Sequence, residues 1–327
     1  MLVDTFGRVA TDLRVSLTDK CNLRCSYCMP PEGLEWLPGP ELLTDDEVVR
    51  LVSVAVAEGV TEVRFTGGEP LLRRGLVSIV ERVTALEPRP HTSLTTNGIG
   101  LAKVAGALAD AGLDRVNVSL DTLDAQRFAT IARRDRLSDV LDGLAGAEAA
   151  GLTPVKVNAV LVRGVNDDEA VPLLRWAIDH GYLLRFIEQM PLDAQHGWDR
   201  SQMVDADEIL ARLADAFTLT EVPEDRGSAP AEEWLVDGGP GRVGVIGSVT
   251  RPFCGACDRV RLTADGQLRN CLFAREESDL RTAMRAGVDD DGLAARMRAS
   301  LLAKRAGHGI GDPGFLQPDR PMSAIGG

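Results

Sequence analysis

Six times along the chain a short β-type run is followed by a stretch whose apolar residues recur at three- and four-residue spacing. No other feature constrains the fold as strongly. The runs cover residues 12–18, 61–66, 92–97, 115–121, 155–162 and 183–189. The helical stretches carry their own boundaries: TDDEVVRLVSVAVAEG opens on Thr44 as a cap before two acids and closes at Gly59. Repeated β-α units imply parallel strands wrapped by helices through right-handed crossovers. Six units predict an α/β fold, an incomplete (β/α)6 barrel of the TIM type, although an open doubly wound sheet gives the same string.

The rhythm breaks at EVPEDRGSAPAEEWLVDGGPGR, residues 221–242, whose proline, glycine and acidic content reads as a linker. Beyond it, RVGVIGSVT and DRVRLTADGQLRN read as strands, the second with an Asp265-Gly266 hairpin turn. Helical patterns follow Asp279 and span 289–304. The expected organisation is a partial barrel over 1–220 and a smaller C-terminal α+β module over 221–327. No repeat of fixed period and no low-complexity segment interrupts it.

Strand parity says what faces inward. Leu13, Val15 and Leu17 alternate with Arg14, Ser16 and Thr18, and the same alternation sets Val63 and Phe65 against Arg64, and Val155 and Val157 against Lys156 and Asn158. Helices outside must take the apolar face, so Arg14, Arg64, Lys156 and Arg185 point into one interior with Thr95, Ser119 and Asn158. A filled barrel core would be aliphatic there. Four cations suit a polyanion such as a nucleoside triphosphate. Internal pairing with Glu69, Asp121 or Glu188 is the competing expectation, but poorly paired buried charge is costly. The strand ends where barrels keep their working residues read LTDKCNLRC, FTGGEP, TTNG, SLD, VNAV and IEQM.

Composition narrows the partners. With 49 acidic against 36 basic residues the net charge is −13, which repels nucleic acid and anionic membranes, so neither is expected as a partner. No run approaches the roughly 20 apolar residues of a membrane span. The N-terminal MLVDTFGRVATDLRV has neither the basic start nor the apolar core of a signal peptide, and a cytoplasmic location is expected. Lys20, Lys103, Lys156 and Lys304 are the only lysines among those 36 basic residues, a scarcity that reads as coding bias without mechanistic content. His91, His180, His196 and His308 read as structural or solvated.

All six cysteines fall in two sets, and in a cytoplasmic chain this argues for metal or redox chemistry before disulfides. Cys21, Cys25 and Cys28 form C-x3-C-x2-C directly after the first strand. Cys254, Cys257 and Cys271 form C-x2-C-x13-C, one ligand short of a closed zinc site. Three thiolates on a [4Fe–4S] cube leave one iron open to an outside ligand. The first spacing, with Tyr27 before its last cysteine and GGEP (67–70) at the end of the second strand, resembles the radical S-adenosylmethionine enzymes. The second set narrows this. DLRVSLTDKCNLRCSYCMP, RFTGGEPLLR, VNVSLD, VKVNAV, RFIEQMP, GVIGSVTRPFC and the terminal MSAIGG together resemble the GTP 3′,8-cyclase family, which opens molybdenum cofactor biosynthesis.

That resemblance implies two [4Fe–4S] clusters, the first on Cys21, Cys25 and Cys28 cleaving S-adenosylmethionine, the second on Cys254, Cys257 and Cys271 taking the guanine base. It implies that Tyr27, Gly68, Ser119 and Met190 line the S-adenosylmethionine pocket. GTP would meet Arg14, Arg64, Thr95, Lys156, Asn158, Arg185, Arg259, Val260 and Arg261, and the Gly326-Gly327 tail would enter the active site. The implied chemistry is radical abstraction of hydrogen from ribose C3′ and closure onto guanine C8. Implied partners are GTP, a flavodoxin-type or reductase electron donor, a downstream cyclic pyranopterin monophosphate synthase, and a second copy in a homodimer. Two other classes stay open: another radical enzyme with an auxiliary cluster, and a non-catalytic iron–sulfur or zinc protein, which would leave GGEP and the luminal cations without a purpose.

Overall fold

The computed structural model describes residues 1–326. All six expected runs form strands: β1 (Asp12–Ser16), β2 (Glu62–Thr66), β3 (His91–Thr96), β4 (Arg115–Ser119), β5 (Lys156–Val160) and β6 (Leu183–Ile187). Each pairs in parallel with the next. Between and after them lie α1 (Asp45–Ala57), α2 (Leu76–Thr84), α3 (Ala105–Asp110), α4 (Ala125–Ala132), α5 (Leu137–Ala149), α6 (Ala170–Asp179) and α7 (Ala206–Ala214). The start of α1 is fixed by a reciprocal capping box, Thr44 Oγ1 accepting from the Glu47 amide and the Glu47 carboxylate from the Thr44 amide. Strands β1, β4, β5 and β6 stop two residues short of the sequence runs. Beyond their ends Asp121 and Glu188 turn their carboxylates to backbone amides, Asp121 to that of Val160 at the end of β5 and Glu188 to those of Ala206 at the start of α7, Val249 and Thr250.

The remaining strands are β7 (Leu219–Glu221), β8 (Glu232–Val236), β9 (Arg242–Ile246), β10 (Arg259–Leu262), β11 (Gln267–Arg269) and β12 (Ser278–Asp279). All twelve belong to one sheet in the order β12-β11-β10-β1-β2-β3-β4-β5-β6-β9-β8-β7. Strand β10 runs parallel to β1 with Arg14 opposite Arg261, and β9 runs parallel to β6 with Arg185 opposite Gly244. The C-terminal third therefore flanks the six parallel strands on both sides. The 221–242 stretch is not a linker throughout. Trp234 and Val236 are buried and alternate with half-buried neighbours, so β8 forms there, and the proline and glycine signals belong to the turns on either side. The Asp265-Gly266 turn joins β10 to β11 as expected, with Gly266 at φ +79°.

Apolar side chains on one face of the sheet, among them Leu13, Val15, Val63, Phe65, Val116, Val118, Leu184 and Phe186, pack with the helices into one core. Helix α8 (Arg281–Arg285) and α9 (Asp290–Leu302) extend that core, α9 lying against α1. The short α10 (Met322–Ile325) returns the chain end to the other face. Among the described residues no helix is long and apolar enough to cross a membrane.

Candidate functional site

On the polar face of the sheet lies a cavity of about 280 Å³. Arg14 from β1, Arg64 from β2, Arg185 from β6 and Arg259 and Arg261 from β10 all line it. These guanidiniums have few anions to answer them. Asp12 is within ion-pair distance of Arg14 at 3.7 Å and of Arg64 at 3.8 Å, both longer than a hydrogen bond. Glu69, Asp121 and Glu188, the partners weighed from sequence, are bonded to backbone amides and hydroxyls instead. Burial first, then mutual repulsion with Arg64, pulls Arg14 down to about 9; burial likewise pulls Arg64 and Arg185 to about 10. All three stay charged at neutral pH. The Nε atoms of Arg14, Arg64 and Arg259 are buried without a hydrogen-bond partner. Donors held ready with nothing to bind fit a polyanionic ligand.

Other polar groups orient this set. Arg185 donates to Asn158 Oδ1 at 3.0 Å and Asn117 Oδ1 at 2.9 Å, and its forked side chain is thereby fixed at the cavity wall. Arg259 lies 4.5 Å above the Phe253 ring and bonds the Ser228 carbonyl.

A smaller cavity adjoins the first. Cys21, Cys25 and Cys28 line it with Gly67, Gly68 and Asn97. A Cβ on Gly68 would lie 2.4 Å from the Asp19 and Lys20 carbonyl oxygens, and one on Gly67 would lie 2.4 Å from that of Thr18. These glycines therefore serve the close approach of the cysteine loop's own backbone, which the Gly68 and Glu69 amides tie down through Thr18 and Lys20. Glu69, pushed up to about 7 by burial, accepts from Thr96 Oγ1 and the Asn97 and Leu71 amides. Tyr27 donates to Asp121, itself raised to about 6 by burial.

Burial raises the thiols of Cys21, Cys25 and Cys28, the last to about 12, so ionising them needs a positively charged core in the site. Cys28 also lines the larger cavity, together with Cys254, Cys257 and Cys271. The hairpin β10–β11 brings Cys271 back to the turn that carries Cys254 and Cys257. At Cys257 burial raises the thiol, but Arg259 and Lys304 outweigh it and the net shift is downward. None of the six cysteines is paired in a disulfide. Among the described residues no three Cys, His, Asp or Glu side chains converge on a single-ion site. A cube asks for a different arrangement, since its thiolates sit on separate irons.

The chain matches known families along most of its length. Residues 15–177 match the model of the radical SAM superfamily, and residues 182–310 match that of Molybdenum Cofactor Synthesis C. A GTP 3′,8-cyclase of Streptomyces coelicolor is 69% identical over 329 residues, covering 100% of this chain and 96% of that protein. The GTP 3′,8-cyclase 2 of Mycobacterium tuberculosis is 63% identical over 331 residues, covering 100% and 92%. The chain belongs to the GTP 3′,8-cyclase family of radical S-adenosylmethionine enzymes. Among solved structures, Streptococcus suis SuiB bound to S-adenosylmethionine superposes with a TM-score of 0.59 at 15% identity over 90% of this chain and 68% of SuiB, a likeness of fold.

Within this GTP 3′,8-cyclase family member the two cavities gather most of the residues that sequence singled out. Thr95, Ser119, Asn158 and Met190 line the larger one, and Tyr27 and Ser119 lie between the two. Lys156 does not line either; it sits at the start of β5 beneath Arg185 and is pulled to about 8 by burial, then by Arg185 and Arg115. Val260 points to the opposite side of β10, into the apolar core. Gly326 lies inside, its carbonyl bonded to Arg261, and Gly327 is outside the described residues.

Sequence reasoning missed Asp12 and Arg115. Parity already put Asp12 on the face of Arg14, and Arg115 on that of Asn117, so both were findable. His308, read as structural or solvated, is held by backbone groups and also lines the larger cavity. Its Nδ1 accepts from the Ile310 amide, which leaves the proton on Nε2 for the Ser248 carbonyl, and its ring edges Phe273 at the cavity wall. Burial lowers its pKa, so it stands neutral.

Proposed function

We propose that the chain converts GTP to (8S)-3′,8-cyclo-7,8-dihydroguanosine 5′-triphosphate, the opening step of molybdenum cofactor biosynthesis. It does so with two [4Fe–4S] clusters and S-adenosylmethionine. Cys21, Cys25 and Cys28 would hold the first cluster, with Tyr27, Gly68, Ser119 and Met190 about S-adenosylmethionine. Cys254, Cys257 and Cys271 would hold the second, its open iron taking guanine. The observation that carries this reading is the set of buried Nε donors on Arg14, Arg64 and Arg259, none of them hydrogen-bonded, in a cavity lined by Cys28 of the first cysteine set and by all three of the second.

When bound, the reduced first cluster and S-adenosylmethionine would supply a 5′-deoxyadenosyl radical that takes hydrogen from ribose C3′, this carbon would close onto guanine C8, and one further electron and a proton would reduce the resulting aminyl radical to the 7,8-dihydro product. The chain's residues hold the substrate still for that chemistry. Arg14, Arg64, Arg185, Arg259 and Arg261 clamp the triphosphate from three sides, with Lys156 adding charge from below and Thr95 and Asn158 filling polar contacts. Leu192, Ile187 and Phe273 wall off water, which a primary carbon radical requires. No general base is needed, in keeping with a neutral His308. Arg261 also holds the tail through Gly326, so substrate and chain end share one anchor.

We read β1–β6 as an incomplete (β/α)6 barrel within residues 1–220, completed at its edges by a module over 221–327. A cytoplasmic homodimer, a flavodoxin-type donor and a cyclic pyranopterin monophosphate synthase as acceptor of the product belong to the same proposal. The test mixes the anaerobically reconstituted, reduced protein with GTP and S-adenosylmethionine. GTP-dependent 5′-deoxyadenosine and the cyclised nucleotide are expected, and 5′-deoxyadenosine that forms equally without GTP would sink the assignment.

A further inference from the structure

Lys304 follows α9 and is 4% exposed. Its Nζ donates to the Cys257 carbonyl at 3.0 Å, the Arg259 carbonyl at 2.9 Å and the Cys257 Sγ at 3.5 Å. These use all three protons of the ammonium, and among the described residues no carboxylate pairs with it. A buried cation without a counter-charge is costly, so the site beside it must supply negative charge. Cys257 is the group in contact that can.

The scarcity of lysine then acquires meaning. In a chain whose 36 basic residues include four lysines, arginine serves wherever a planar fork suffices. Arg8 shows this on the opposite side of the same loop, where its guanidinium spans the Cys254, Ala306 and Arg305 carbonyls. At position 304 three acceptors converge on one point, which suits a compact ammonium and not a flat guanidinium. Coding bias does not explain a lysine kept there.

We propose that Lys304 is a positioning residue of the second cluster site, whose buried ammonium raises the reduction potential of the cluster on Cys254, Cys257 and Cys271 and, through the Arg259 carbonyl, fixes where β10 begins. One-electron reduction adds a negative charge to the cluster, and a fixed positive charge hydrogen-bonded to a ligand sulfur stabilises that form. The same bond to β10 sets the height at which Arg259 enters the cavity. The proposal rests on the reading of this cysteine set given above.

The test compares wild type, Lys304→Gln and Lys304→Arg as full-length, anaerobically reconstituted proteins. Iron and sulfide are counted, then each is titrated with dithionite while electron paramagnetic resonance follows the signal that S-adenosylmethionine does not perturb. Lys304→Gln keeps hydrogen-bond donors but loses the charge, and its reduction equilibrium is expected to weaken at least tenfold, about 59 mV for one electron. Lys304→Arg keeps the charge and should stay near wild type in potential while its KM for GTP rises. An unmoved potential in Lys304→Gln overturns the proposal. So does loss of the second cluster from both variants with circular dichroism intact, which would make Lys304 a structural brace. Zinc, or iron for one cluster alone, in wild type defeats the reading of the cysteine set instead, a separate result.

Discussion

Arg261 Nη1 donates to the Gly326 carbonyl oxygen, so the C-terminal tail is bonded to β10, the strand that borders β1 in the sheet. Gly326 has φ +88°, and a Cβ there would lie 2.8 Å from Thr66 Cγ2 and 3.2 Å from Ser16 Cβ. An alanine must therefore accept both backbone strain of about 1–3 kcal/mol and a clash with β1 and β2. The tail's only relief is to leave. Gly326→Ala is expected to lower GTP turnover by roughly 10²-fold, since displacements near 1 Å cost that much, while iron content stays unchanged. Initial rates of cyclised product, set beside iron analysis, check it.

Arg64 carries a cost that the folded chain alone does not recover. Its side chain is 12% exposed and 3.8 Å from Asp12, and its buried Nε has no hydrogen-bond partner. Burial and then the nearness of Arg185 and Arg115 outweigh the attraction of Asp12. Arg64→Met removes one cation from this cluster and leaves Asp12 to Arg14. The ligand-free variant is expected to melt at or above the wild-type temperature, while GTP binds about 10–100-fold more weakly, the loss of one charge-assisted hydrogen bond. Thermal unfolding without nucleotide and equilibrium GTP binding give the two numbers. A lower melting temperature with unchanged GTP affinity contradicts it.

The parallel strands and the luminal cations were legible because parity is a local property: Leu13 and Val15 must face helices, so Arg14 must not. The anion that answers them was less so. Asp12 lies two residues before Arg14 on the same face, yet Glu69, Asp121 and Glu188 stand out as acids at strand ends, where backbone amides claim them. Residues 221–242 misled because turn signals on both sides outweighed a five-residue strand. That β10 joins β1 could not be read locally at all. Long-range register is set by which edges remain unpaired once the six strands have paired in sequence, and β1 and β6 are those edges. Lys304 was invisible for a related reason, since its role depends on three acceptors brought together from Cys257 and Arg259.

Lys156 predicts a pH dependence for GTP binding. Burial, then Arg185 and Arg115, pull it from 10.5 to about 8, so in the ligand-free protein its charged form is disfavoured. Phosphate oxygens would restore the charged form, and binding then takes up a proton wherever the free lysine is neutral. GTP affinity is expected to hold below pH 8 and to fall as pH rises through about 8. Lys156→Arg stays charged throughout and should flatten that fall. Binding isotherms from pH 7 to pH 9.5 without S-adenosylmethionine decide it; identical slopes in both proteins would remove Lys156 from the phosphate site.

Cys271 separates the two cysteine sets chemically. It lines the larger cavity but not the smaller, where Cys21, Cys25 and Cys28 meet Gly68 and Asn97. Its loop is held independently, Arg269 bonding the Ala274 carbonyl and Glu277, and Asn270 the Ser300 carbonyl at 2.7 Å. A serine should therefore leave the hairpin folded while removing one of three thiolates. Iron is expected to fall from about eight to about four per chain. Uncoupled cleavage of S-adenosylmethionine should persist, because every group about the first set is intact, and GTP cyclisation should be abolished. The two activities are read from one reaction by separating 5′-deoxyadenosine from the cyclised nucleotide, and cyclisation retained in Cys271→Ser would place guanine binding somewhere other than the second cluster.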